Sequence, residues 1–279
     1  MQKDLIINVA PTGMVPNKEM SPHVPLTPKE IAADVIACVD EGASIAHLHG
    51  RDEQGQPTSE PRIVADIIER IRHEKPEVII TLTTSGRRAQ EFEQRAQSLL
   101  LDGDVKPDMA SLTLGSMNFA TEASLNAPSM IMRLAELMLE KDIKPELEVF
   151  DLGMVHFAHV LIEKGLLKPP YYFNLLLGNV ATAQAKLLHL GMMVNELPEG
   201  AVWAVAGLGR FQHQANALGI VAADGVRVGL EDNLWFDDQR QRLATNPDLV
   251  RRVAQQATAM GRQAASAQSV RERLQLRQC

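Results

Sequence analysis

His47 and His49 lie one residue apart in the run IAHLHGRDEQG (45–55), and Glu231 lies in VRVGLEDN (226–233). Residues two apart on an extended strand share a face, so the two imidazoles project together from the end of an apolar run. Two imidazoles and one carboxylate, with a fourth position open, form the ligand set of a catalytic zinc ion. No thiolate is at hand to favour a softer ion, and manganese, iron or cobalt share these ligands. The competing account is that each histidine donates to a carbonyl or carboxylate and steadies a strand end with no metal at all. Arg227 has the same parity as Glu231, and a permanently charged guanidinium tolerates burial only beside carboxylates. Glu148 and Asp232 are the carboxylates available. Asp232, one residue past Glu231, either pairs with Arg227 or stands as a general base.

Such residues need elements to aim them. Eight short β-type runs cover 5–10, 44–49, 78–85, 109–115, 146–151, 171–177, 201–207 and 226–231. Helical patterns separate them. In the stretch 27–42, Thr27 is the expected N-cap, Pro28 the first helical residue and Glu30 the closing member of a capping box. The stretches 130–142 and 182–197 show apolar residues at helical spacing. Alternation alone fits a doubly wound open sheet as well as a closed barrel, and the count of eight favours closure. The expected fold is a single α/β domain over 1–279, a (β/α)₈ TIM barrel, with a polar C-terminal helical tail beyond 262. The loop 11–26 reads as the only sizeable insertion after a strand.

In a closed barrel the second and eighth strands flank the first, so His47, His49 and Glu231 can reach one point. Choosing the polar parity on each run gives an inward set of Asn8, His47, His49, Thr81, Thr83, Ser85, Ser111, Thr113, Glu146, Glu148, Asn174, Arg227 and Glu231. A structural barrel centre is dominated by branched aliphatic side chains, and buried ionisable groups are costly unless paired or metal-bound. That interior predicts a site at the C-terminal mouth of the strands.

The formal charge of −7 over 279 residues argues against a general nucleic-acid partner. The first residues read as neither a signal peptide nor a membrane span. Two cysteines, Cys38 and Cys279, make no disulfide framework and no metal spacing, so a cytoplasmic setting is expected.

With these residues in place the chain resembles the β-keto acid cleavage enzyme family, whose best-known activity is 3-keto-5-aminohexanoate cleavage. The resemblance runs through APTG (10–13), HLHGRDEQGQPT (47–58), TTSG (83–86), ASLTLGSMNF (110–119), KPELEVFDLGM (144–154), AVWAVAGLGR (201–210) and VRVGLEDNLWF (226–236). It implies a metal-binding (β/α)₈ barrel that condenses a β-keto acid with acetyl-CoA, releasing acetoacetate and a new acyl-CoA. By that resemblance His47, His49 and Glu231 hold a metal, usually Zn²⁺. Asp232 is the general base, Arg227 orients it, and Thr83, Ser111 and Glu148 line the substrate pocket with Ser85 beside them. A homo-oligomer, a tetramer, is implied too. Members taking the amino-substituted substrate carry an acidic residue just after the Thr-Gly pair, where this chain has Val15. An apolar or uncharged substrate tail is therefore expected rather than a cationic one. GLGR (207–210) reads as a tight turn or a phosphate-facing loop, and Arg87 and Arg88, at an expected helix start, as solvated or as partners of the CoA phosphates.

Rival readings on the same residues are a metal-dependent C–C lyase or aldolase that uses no CoA, and a barrel that binds a keto acid without turning it over. An amidohydrolase-type site fits poorly, since the first strand has no histidine and the fourth to sixth offer neither lysine nor histidine.

Overall fold

The computed structural model describes residues 3–87 and 89–277, so Arg88 and Cys279 lie outside the described residues. Eight strands alternate with helices: β1 (Ile6–Val9), α1 (Pro28–Asp40), β2 (Ile45–Leu48), α2 (Pro61–Glu74), β3 (Ile79–Leu82), α3 (Phe92–Ala96), β4 (Met109–Thr113), α4 (Pro128–Glu140), β5 (Lys144–Val149), α5 (Leu152–Glu163), β6 (Tyr172–Leu177), α6 (Leu187–Asn195), β7 (Val202–Gly207), α7 (Gln212–Ala222), β8 (Gly225–Val228), α8 (Asn246–Ala259) and α9 (Ala267–Leu274). The strands are parallel and the sheet closes, β1 pairing with both β2 and β8. The chain is a TIM barrel, as the count of eight strands implied. The capping box of α1 is present, with the Thr27 hydroxyl accepting from the Glu30 amide and the Glu30 carboxylate accepting from the Thr27 amide.

Strand alternation sorts the apolar residues. Ile7, Val9, Ala46, Leu48, Ile80 and Leu82 face the helices in one shell, while Ile6, Ile45, Ile79, Met109, Tyr172 and Val202 point inward at the N-terminal end of the strands. That inner layer is closed from below by Val270, Leu274 and Leu276, so the C-terminal segment is a barrel floor rather than the polar tail expected. Arg271 of α9 is fully buried and grips Asp108, through Nη1 to Oδ1 at 2.9 Å and Nη2 to Oδ2 at 3.1 Å. Arg277 and Arg72 join the same carboxylate at 3.2 and 3.3 Å. Burial opposes ionisation of Asp108, and the Arg271 guanidinium overrides it, holding the carboxyl below its ordinary range.

Three other expectations need correcting. The connection 11–26 is not the only long one, because hairpins form at Gly50–Arg51 with Pro57–Thr58 and at Met117–Asn118 with Ala123–Ser124, in the connections after β2 and β4. The helix expected from 182 begins at Leu187. Arg87 is not at a helix start, since α3 begins at Phe92; its guanidinium lies 3.7 Å over the Phe119 ring and 3.4 Å from Glu122. Among the described residues no helix is long and apolar enough to cross a membrane.

Candidate active site at the C-terminal mouth

Above the apolar floor the interior turns polar, and its layers are tied by one network. Glu146 on β5 accepts from Asn8 on β1 at 2.5 Å and from Asn174 on β6 at 2.8 Å, while its other oxygen meets His47 Nδ1 at 2.6 Å. Burial raises the Glu146 carboxyl, but His47 beside it and the charge of Arg227 bring it below its ordinary range. An ionised Glu146 accepts the Nδ1 proton of His47, which fixes the tautomer and leaves Nε2 with a lone pair.

That Nε2 faces two other donors. It lies 3.1 Å from His49 Nε2 and 3.9 Å from Glu231 Oε2, and His49 Nε2 lies 3.2 Å from the same oxygen. Three ligands at about 2.0–2.1 Å from one tetrahedral ion sit roughly 3.3 Å apart, so these separations suit one cation. Glu231 Oε2 is buried with no hydrogen-bond partner among the protein atoms, which is costly for an anion unless a cation meets it. A second group of donors, His47 with Glu146 and Glu148, is a poorer cradle because its carboxylates are already engaged.

Glu231 reaches this point from a turn, not from the strand that the sequence pattern extended to 231. β8 ends at Val228, and Gly229 then adopts φ +153°, where a β-carbon would lie 2.1 Å from the Ala10 carbonyl oxygen. A side chain would clash there, and the close approach lets the Glu231 amide donate to that same carbonyl at 3.1 Å. Across the turn, Gly13 has φ +68°, and a β-carbon on it would lie 2.5 Å from Glu231 Cγ. The Thr-Gly after β1 therefore shapes the seat of the carboxylate.

Arg227, almost wholly buried, binds three carboxylates at once. Its Nε and Nη2 meet Asp232 at 3.0 and 3.2 Å, Nη1 meets Glu148 at 3.0 Å and Nη2 meets Glu231 at 2.7 Å. Burial disfavours the cation, yet Asp232, Glu231 and Glu148 together raise its pKa well above the ordinary value. Burial raises Asp232 against the pull of Arg227, with Glu231 adding repulsion, and burial likewise raises Glu148. Glu231 goes the other way: burial would raise it, but Arg227 and the two histidines hold it well below the carboxylate range.

These groups open into a cavity of about 530 Å³. Its walls bring together His47, His49, Glu231, Asp232, Arg227 and Glu148 with Thr83, Ser85 and Val15. Val15 is at the rim, 45% exposed. Ser111 is set apart: it lies deeper, with its hydroxyl accepting from the Thr84 amide at 3.2 Å. Thr113, two residues on, lines the cavity and donates to Glu148 at 2.7 Å. In GLGR, Gly209 has φ +57° and its amide donates to the Asp232 carbonyl at 2.7 Å, so this is the tight turn, and it fixes the backbone at Asp232.

The residues that support the site are not evident from the sequence pattern. Glu146 stood in the inward set without a role, two residues before Glu148. Arg51 donates to the carbonyls of Gly13 and Pro16 at 2.6 and 2.9 Å, pinning the connection after β1 to the strand-two hairpin. Asn246, the first residue of α8, accepts from the Leu230 amide at 2.8 Å and donates to the Pro11 carbonyl at 3.1 Å and to Asp34 at 2.7 Å. Arg51 stands within the HLHGRDEQGQPT stretch without a role, and nothing in the sequence pattern signals Asn246.

Two expected results follow from these supports. Glu146→Gln should weaken binding of a divalent ion at the three donor atoms by about 10- to 100-fold in a calorimetric titration, the usual loss when the partner of a ligating histidine is removed; an unchanged affinity would contradict an orienting role for Glu146. At Asp34, burial pushes the carboxyl up to about 7 against the Asn246 hydrogen bond. A raised folded-state pKa favours the folded protein below the ordinary value of 3.8, and that preference is lost as the pH climbs toward 7. Asp34→Asn should gain stability relative to wild type across that interval in urea melts, and a constant difference would argue against the shift.

Known proteins bear on what this arrangement does. A family model described as beta-keto acid cleavage enzyme matches residues 4–276. The chain is 38% identical over 279 residues, 99% of its own length and 100% of the relative's, to the 3-keto-5-aminohexanoate cleavage enzyme of Fusobacterium nucleatum subsp. nucleatum. It is 34% identical over 280 residues, covering 99% of this chain and 96% of the relative, to the 3-oxoadipate:acetyl-CoA acetyltransferase of Cupriavidus necator. Among solved structures, ObcA in ternary complex with a C4-CoA adduct and oxalate superposes with a TM-score of 0.82 at 22% identity, over 92% of this chain and 68% of that one, a likeness of fold. The chain belongs to the beta-keto acid cleavage enzyme family.

Proposed function

We propose that this enzyme condenses a β-keto acid with acetyl-CoA on a zinc ion held by His47, His49 and Glu231, giving acetoacetate and a new acyl-CoA. The observation that carries the reading is the grouping of Asp232, Arg227 and Glu148 beside the three donor atoms in one cavity. A divalent ion there supplies Lewis-acid stabilisation of negative charge on the 3-keto oxygen and carboxylate.

The protein's own groups do the rest. Asp232 takes a proton from the carbon between ketone and carboxylate, C2, and Arg227 holds the base in position. The C2 electron pair forms a bond to the acetyl carbonyl carbon, and the CoA thiolate leaves. The thiolate then adds to the original ketone carbon, C3. The C2–C3 bond breaks, its electron pair stays on C2, and Asp232 returns the proton. The acetyl group ends in acetoacetate, and C3 with its tail leaves as the new thioester.

Two features favour a tail that is not cationic. All three carboxylates in the cavity wall, Glu148, Glu231 and Asp232, are engaged by Arg227. The remaining wall includes Val15, Met117, Phe119, Phe150, Leu176 and Leu208, which suits an apolar or uncharged tail. Arg87 in the same wall favours an anionic tail as a second reading. A panel of β-keto acids with alkyl, hydroxyl, carboxylate and ammonium tails, assayed by mass spectrometry for the new acyl-CoA, tests both. Highest kcat/KM for an ammonium tail would contradict the tail assignment.

The buried thiol of Cys38 fits a cytoplasmic setting, and the exposed Leu187, Leu188 and Met192 of α6 fit assembly into a homo-oligomer, for which a tetramer is the expected state.

A further inference from the structure

Two substrates must meet at one carbon if the proposed reaction is right, and the structure offers two cavities that converge. The larger is the one described above. A smaller one, of about 310 Å³, opens between the hairpin at 50–58 and the residues Thr84, Ser85, Ala89, Gln94, Arg95 and Gln97. The two share Met14, His49, Thr83 and Ser85. His49 is the one member of the proposed ligand set that lines both.

Their chemistry differs. All three donor atoms that would hold the proposed ion, on which an anionic keto acid would be bound, line the larger cavity, and only His49 of them reaches the smaller. The smaller is walled by neutral hydrogen-bonding groups, among them Thr58, Ser59, Gln94 and Gln97, interleaved with Pro57 and Ala89. Its one guanidinium, Arg95, is committed to the Thr84 carbonyl at 2.8 Å, the Asn126 side chain at 2.7 Å and the Leu125 carbonyl at 3.2 Å. A site of that kind suits a narrow, uncharged chain in which amides alternate with short alkyl segments. The arm that carries an acyl thioester in CoA has that make-up: a linear chain with a pair of secondary amides.

Resting on the function proposed above, we infer that the smaller cavity is the channel for the pantetheine arm of acetyl-CoA. It delivers the thioester past Met14 and Thr83 to the His49 side of the site, while the keto acid and its tail occupy the larger cavity.

The test fills each cavity in turn in the zinc-loaded enzyme. Ala89→Phe and Ser59→Phe narrow the smaller one from two separate segments, and Val15→Phe narrows the larger. Steady-state kinetics give KM for each substrate, and wash-in of solvent deuterium at C2, measured with keto acid alone, reports keto acid binding and proton removal without any thioester. Ala89→Phe and Ser59→Phe should raise KM for acetyl-CoA by about tenfold or more, the effect of overpacking a site, with KM for the keto acid and the wash-in rate staying near wild type. Val15→Phe should show the opposite split. If both smaller-cavity variants leave KM for acetyl-CoA unmoved, or raise KM for the keto acid instead, the assignment is overturned while the reaction stands. If the wild-type protein makes no acyl-CoA from any keto acid, both readings fall together.

Discussion

Asp232→Asn is expected to lower kcat by about 10²- to 10⁴-fold, the usual contribution of a positioned general base, while zinc binding is retained. The carboxylate is held at both oxygens by Arg227, through contacts of 3.0 and 3.2 Å. An amide at this position still accepts from one guanidinium nitrogen but has no basic oxygen for a carbon acid. Arg227 keeps Glu148 and Glu231 as partners, so the cradle of donor atoms stays intact. Deuterium wash-in at C2 should collapse with kcat, because both need the same proton removal. Wash-in at the wild-type rate in this variant would remove Asp232 from the role of base and return attention to Glu148, the other carboxylate that burial raises.

The second large effect is at the opposite end of the barrel and concerns stability alone. Asp108 is the shared partner of Arg271, Arg277 and Arg72 and also accepts from the Ile80 amide at 2.9 Å. Asp108→Asn keeps the shape but leaves the fully buried Arg271 without its counter-charge. Breaking a buried pair in this way costs about 3–5 kcal/mol, and for a chain of this size that lowers Tm by on the order of 10 °C. The floor formed by Val270, Leu274 and Leu276 should loosen first, visible as faster amide exchange in α9. A change under about 1 kcal/mol, within the range of an ordinary surface substitution, would mean that the apolar contacts of α9 close the barrel without the clamp. Because the proposed catalytic groups lie at the other end of the strands, kcat of the folded variant should hold at 25 °C.

These two sites differ in how far the sequence alone could lead. Strand alternation is a local signal, so the inward placement of His47, Glu148 and Arg227 was legible, and the count of eight runs pointed to a closed barrel. The same signal misread the run at 226–231 as strand to its end, because Val-Arg-Val-Gly-Leu-Glu keeps alternating while Gly229 turns the backbone. It also misread the last residues as a polar tail. Arg271 and Arg277 count as solvated by type, and the carboxylate that takes them inside lies 163 residues away from Arg271 in sequence. The helix expected to start at Arg87 starts at Phe92, and the ring of Phe119 and the charge of Glu122 fix Arg87 outside it. Pairing across the barrel, such as Asn8 and Asn174 on Glu146, depends on which strands become neighbours and on their register, and no local pattern contains that.

The reaction itself is tested most directly by following carbon. Zinc-loaded enzyme is given acetyl-CoA labelled with carbon-13 in both acetyl carbons and the best unlabelled β-keto acid of the panel, and the products are separated and weighed. The expected products are acetoacetate carrying both labels and an unlabelled acyl-CoA built from the keto acid's C3 and tail. Label retained in the thioester, or released as acetate with no labelled acetoacetate, would contradict the proposed reaction.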